Sequence, residues 1–207
     1  MGIIQKAGDF TGSTMVMGLP ADGKTTVVMN ELVEKNLNPL WIVFTNGDIV
    51  SKQHPEWAMA VMANWYQFDN LYKAMKTGVE DIKAYNAVVI EGLGYAATMA
   101  LTDILSKSDT KDPRPSYLEM GRTLNARLAE LRSMFGSVYC TMDLDRTKEN
   151  NLELLINPHL YNSIIGFFGR KVYVYSEPTA DKKSVNYIVQ DNPTFALRFK
   201  PTLRKED

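Results

Sequence analysis

Two glycines, a lysine and a threonine stand at fixed spacing in the stretch Gly18, Leu19, Pro20, Ala21, Asp22, Gly23, Lys24, Thr25. This fits G-x-x-x-x-G-K-[ST], the phosphate-binding loop or Walker A motif. Each fixed residue has a mechanical task. Gly18 and Gly23 let the backbone bend so that its N–H groups converge on phosphate oxygens. Lys24 is spaced to reach the β- and γ-phosphates of a nucleotide such as ATP, and the Thr25 hydroxyl to ligate Mg²⁺. Leu19, Pro20, Ala21, Asp22 and Thr26 complete the cradle, and the helix starting there adds the positive end of its dipole. Asp22 carries a charge that would repel phosphate if turned inward. Cradle loops work through backbone groups, so its carboxylate is expected to face solvent.

A second acid stands where this chemistry needs one. Ala87, Val88, Val89 and Ile90 run into Glu91, an apolar strand ending in a carboxylate, which is the Walker B pattern. Such an acid holds the metal through water or activates the attacking water. Thr141 stands near the carboxyl end of a further apolar run, Ser137 to Asp143, where a polar side chain can sense a γ-phosphate.

These residues need strands and helices to hold them. Thr14 to Met17 reads as a strand ending at the loop, and Val28, Leu32 and Val33 mark a helix after it. Pro39 to Phe44 is a nearly unbroken apolar run, as in strands buried on both faces, and ends at a turn over Thr45, Asn46, Gly47 and Asp48. Pro55 to Met62 predicts a helix with proline in its first turn. Tyr66 to Phe68 predicts a short strand, followed by a helix capped at Asp69 or Asn70 and stopped by Gly78. Ala87 to Leu105 is apolar but broken by Glu91 and Asp103, which predicts strand, turn and helix rather than a membrane span. Asp109 to Pro115 predicts a polar loop. Ser116 with Glu119 predicts a capping box opening a long helix, with Leu124, Leu128, Leu131 and Phe135 on its apolar face. From about residue 170 the pattern turns to antiparallel β: a strand over Lys171 to Tyr175, then a hairpin of Ser184 to Gln190 with Phe195 to Lys200.

The chain has 207 residues, 45% apolar and 23% charged, with net charge −1. This suits one α/β domain over 1–207, with 170–207 as a β extension of it, and excludes a bulk electrostatic pull toward nucleic acid or membrane. Cys140 is the only cysteine, so no internal disulfide forms, and a buried structural thiol in a reducing cytoplasm is expected. No secretory leader is visible. His54 and His159 lack metal-ligand spacing, and Trp41, Trp57 and Trp65 read as core.

On the loop, the strand ending at Thr45 to Asp48, the run Tyr85 to Glu91, the strand Val138 to Thr141 and the tail Phe199 to Arg204, the chain resembles the compact RecA-like P-loop NTPases of bacteriophages, which include proteins that anneal single-stranded DNA. The resemblance implies a mainly parallel sheet flanked by helices, with nucleotide at its carboxyl edge and an antiparallel C-terminal extension. It implies a water-polarising carboxylate after the second strand, for which Asp48 is the nearest match. It also implies a homo-oligomer in which a basic residue near the C-terminus, Lys200 or Arg204, reaches the neighbour's nucleotide or DNA. The function it implies is Mg²⁺-dependent ATP hydrolysis, slow or DNA-stimulated, in phage-type recombination or replication in the host cytoplasm, with no membrane partner. Glu91 in place of aspartate, and the lack of a plain glutamate after the second strand, bear on the speed of hydrolysis rather than on binding. Two other functions suit the same loop. One is a small-molecule kinase with Arg114, Arg122 and Arg127 as lid residues, and the other a non-catalytic nucleotide-dependent switch or assembly factor.

Overall fold

The computed structural model describes residues 12–45, 48–79, 81–108, 112–146, 152–154, 164–179 and 185–191. In chain order the elements are β1 (Ser13–Gly18), α1 (Lys24–Glu34), β2 (Pro39–Val43), α2 (Asp48–Gln53), β3 (Ala58–Val61), α3 (Trp65–Thr77), β4 (Ala87–Glu91), α4 (Leu93–Ser106), α5 (Arg114–Phe135), β5 (Ser137–Arg146), β6 (Leu152–Leu154), β7 (Arg170–Pro178) and β8 (Val185–Asp191). The strands form one sheet in the order β3-β2-β4-β5-β1-β7-β8, with β6 pairing β5 off this path. Pairings from β3 through β7 are parallel; β8 runs antiparallel to β7, and β6 antiparallel to β5. This is an α/β fold with an antiparallel C-terminal extension.

The apolar runs form central strands because they can be covered on both faces. Strand side chains alternate, and here they split between two cores. Met15, Met17, Leu40, Ile42, Val88 and Ile90 pack with α3, α4 and α5. Val16, Trp41, Val43, Ala87 and Val89 pack with Val28, Met29 and Leu32 of α1. On α5 the expected Leu124, Leu128, Leu131 and Phe135 are all buried. Cys140 is a fully buried thiol, its pKa pushed up by that burial.

Several expectations are corrected. Residues 58–61 form β3, not a helix, since pairing Leu40 with Ala58 through Val43 with Val61 extends the sheet. A run this short cannot separate the two periods. Tyr66 to Phe68 lie inside α3, which starts earlier than expected because Asn64 caps it. Asn64 Oδ1 accepts from the Gln67 N–H at 3.0 Å, and Gln67 Oε1 reaches back to the Ala63 N–H at 2.8 Å. Gly78 ends α3 as expected, in the left-handed conformation at φ 75°. The long helix α5 begins at Arg114 with proline in its first turn and no side-chain cap, so Ser116 lies within it. The β8 strand pairs antiparallel with β7; the second arm of the expected hairpin, Phe195 to Lys200, lies outside the described residues. The antiparallel turn of the chain therefore comes after β7, which is itself parallel to β1.

Candidate phosphate-binding site

The parallel strands point their carboxyl ends the same way, and the Walker A and Walker B residues meet there. The β5 strand lies between β1 and β4, with Gly18 in register with Asp143. At Gly18 a side chain has no room: a Cβ would sit 2.5 Å from the Val174 carbonyl oxygen of β7. The chain then turns through Ala21 (φ 68°) and Gly23 (φ 85°), both left-handed, and enters α1 at Lys24. Gly23 caps α1 without a side-chain hydrogen bond, and the first turn carries no acid. The N–H groups and positive dipole end at this helix start are thus not answered by a side chain of the cap or first turn, the setting in which a helix start receives an anion.

Lys24 is buried and held by three acceptors. Its Nζ donates to the Leu19 carbonyl at 2.7 Å and the Gly18 carbonyl at 3.2 Å, and pairs with Asp143 Oδ1 at 2.7 Å. Three protons are matched by three oxygens. Thr25 Oγ1 donates to Glu91 Oε1 at 2.8 Å. The other carboxylate oxygen, Glu91 Oε2, is buried and has no hydrogen-bond partner among the described residues. Burial pushes the Glu91 carboxyl above its ordinary pKa; the Thr25 hydrogen bond and the Lys24 charge pull it down, and the Asp143 charge pushes it up.

The orientation expected for Asp22 is corrected. Its carboxylate does not face solvent: it is buried, with Oδ2 accepting from the Leu19 N–H at 3.0 Å and Oδ1 from the Ser176 hydroxyl of β7 at 2.6 Å. A carboxylate removed from water needs such donors. The turn over Ala21, closed by the Asp22 N–H to the Leu19 carbonyl at 3.2 Å, brings it back onto its own loop. Thr141 is buried beside β4, where its Oγ1 accepts from the Gly92 N–H at 2.9 Å. It fixes the backbone just after Glu91.

Asp48 opens α2, but its side chain lies outside the described residues, as do Lys200 and Arg204. Leu19, Pro20 and Thr26 lie on the loop and first helical turn as expected. Asp143 and Ser176 were not among the expected site residues. Asp143 carries the same signal as Glu91, an acid closing a core strand; Ser176 carries none, because only the β1–β7 pairing brings it to the loop. Of the arginines weighed as a kinase lid, Arg127 pairs with Asp69 at 2.7 Å and lies over the Tyr72 ring, and Arg114 pairs with Asp112. Trp41 and Trp65 are core, and Trp57 stacks on Trp41 with His54 stacked on Trp57.

The residues suit a magnesium ion. A hydroxyl and a free carboxylate oxygen are the hard ligands it takes. Among the described residues no group of three or more His, Cys, Asp or Glu side chains forms a metal cage. Magnesium bound largely through phosphate and water needs none.

No protein-family model matches the chain, and no curated protein matches it. Among solved structures, the crystal structure of a KaiC-like protein from the hyperthermophilic archaeon Pyrococcus horikoshii OT3 is similar, with a TM-score of 0.52. The likeness covers 87% of this chain and 78% of that one at 13% identity. The chain thus shares that protein's RecA-like α/β fold, with a mostly parallel sheet and antiparallel C-terminal strands. No helix among the described residues is long and apolar enough to cross a membrane.

Proposed function

We propose that the chain binds a nucleoside triphosphate with Mg²⁺ at the Gly18–Thr25 loop and hydrolyses it. One observation carries this reading: the Walker A hydroxyl of Thr25 is bonded to Glu91, whose second oxygen is buried and has no hydrogen-bond partner among the described residues. A buried carboxylate oxygen without a donor is costly unless something binds there.

Each residue has a task. The loop and α1 N–H groups hold the phosphates, and Lys24 offsets the charge that builds on the terminal one. Thr25 and Glu91 would hold Mg²⁺, which when bound would neutralise charge on the phosphates. In hydrolysis the water oxygen bonds to the γ-phosphorus as the bond to the bridging oxygen breaks. Glu91 orients that water and accepts its proton, and ADP and phosphate leave. Asp48 is the second group proposed to orient it. Thr141 acts by fixing the Gly92 backbone, and so the place of Glu91.

The finer reading is a homo-oligomeric ATPase of phage-type DNA recombination with single-stranded DNA as partner. Its support is the sequence resemblance and the basic residues Lys200 and Arg204. Phosphate release from MgATP, with and without single-stranded DNA, tests both parts. Magnesium-dependent release should vanish in Lys24→Ala and fall at least about tenfold in Glu91→Gln with binding retained. Unchanged release in Lys24→Ala would rule this site out. A rate indifferent to DNA at low salt would remove the DNA part.

A further inference from the structure

Lys24 cannot serve a phosphate in the arrangement seen here without giving up a partner. Its three donors go to two carbonyls of its own loop and to Asp143. The carbonyls belong to the loop and move with it. Asp143 belongs to another strand, and it is the only anion of the three. An incoming phosphate is an anion seeking the same ammonium, so it competes with Asp143 rather than with Gly18 or Leu19.

We propose that Asp143 is a stand-in for the terminal phosphate: it neutralises Lys24 in the ligand-free loop and must be displaced when a triphosphate enters. This rests on the nucleotide reading above. Three observations support it. The pair is mostly shielded, with side-chain exposures of 9% for Lys24 and 20% for Asp143, so the competition takes place where charges are felt strongly. The register of β5 against β1 sets Asp143 beside Gly18, where the loop begins. Asp143 also lines a cavity of about 70 Å³ with Gly94, Tyr95 and Thr98, which gives a displaced carboxylate somewhere to turn. Once displaced, Asp143 stands as a negative charge next to another. Its effect on affinity is therefore unfavourable twice over, through the lost pair and through repulsion. The gain is a ligand-free loop in which a buried ammonium is never left unpaired.

A residue that merely supports the fold would lower stability and affinity together when removed. A stand-in lowers the stability of the free protein and raises affinity. The test is equilibrium titration of MgATP into the wild type, Asp143→Asn and Asp143→Ala, with thermal melts of each protein free of ligand. Asp145→Asn, one charge less on the exposed part of the same strand, controls for net charge. Both Asp143 variants should melt below the wild type yet bind MgATP roughly tenfold more tightly, with Asp145→Asn unchanged. Affinity unchanged or weakened in a folded Asp143 variant overturns the proposal, and so does equal tightening by Asp145→Asn. If the wild type itself binds no MgATP, it is the nucleotide reading that fails, and the stand-in falls with it.

Discussion

Asp22 shows how much the role of one residue depends on where its neighbours come from. In the sequence it is a charge beside a phosphate loop, and repulsion is the obvious concern. In the structure it ties the loop to β7 through Leu19 and Ser176. Asp22→Ala should therefore destabilise the protein by about 1–3 kcal/mol by leaving both donors without their acceptor. It should also weaken nucleotide binding by loosening the cradle. Urea denaturation and a binding titration check this; a gain in affinity would mean that the carboxylate faces the phosphates after all. The meeting of the loop with Glu91 was legible: Gly18, Gly23, Lys24 and Thr25 stand at the fixed spacing of a phosphate loop, and Glu91 is the acid that ends an apolar strand. Ser176 was not, because strand order, which no local pattern encodes, brings it to the loop; Asp143 closes an apolar run in the sequence, but only that order sets it against Lys24.

Strands and helices hold these residues through close approach and through charge. Gly18 must lack a side chain because β7 passes against it. Gly18→Ala would drive a Cβ into the Val174 carbonyl, 2.5 Å away, and should cost about 1–3 kcal/mol by urea denaturation. The far end of α1 is tied down by Glu31, which bonds Lys35, Tyr139 of β5 and Arg170 of β7. Burial alone would raise the Glu31 carboxyl, but the Lys35 and Arg170 hydrogen bonds outweigh it and hold the group below its ordinary value of 4.5. A carboxyl lowered on folding contributes stability that is complete above that ordinary value and is lost as pH falls through the lowered one. Glu31→Gln should remove about 1 kcal/mol at neutral pH and flatten the decline on acidification, read from urea midpoints between about pH 7 and pH 3. At this scale, α1, β2, β4, α4 and the apolar face of α5 were legible, being long or strongly apolar. The β3 strand and the start of α3 were not. In β3 four residues carry too little periodicity, and at α3 the Asn64–Gln67 cap competes in the sequence with Tyr66 and Phe68, whose alternation reads as a strand.

At the scale of the whole molecule, one mainly parallel sheet separates two apolar cores and carries the candidate site at its carboxyl edge. The α1 core anchors the Walker A helix, and the core under α3, α4 and α5 anchors the strand that carries Glu91. Because both cores share β1, β2, β4 and β5, binding at the edge should stiffen the sheet from both sides. MgATP at a hundredfold excess over its dissociation constant should stabilise the protein by about 2.7 kcal/mol, visible as a rise in melting temperature. The alternation of apolar strands with helices made this architecture legible. The place of β7, parallel to β1 and in contact with the loop, depended on a pairing that its alternating pattern could not distinguish from a hairpin.

The most direct measurement is an equilibrium titration of MgATP into the wild type and Lys24→Ala. The account predicts one nucleotide bound per wild-type chain and none detectable in the variant at the same concentrations. Equal binding by the two would mean that the Gly18–Thr25 loop is not where the triphosphate goes.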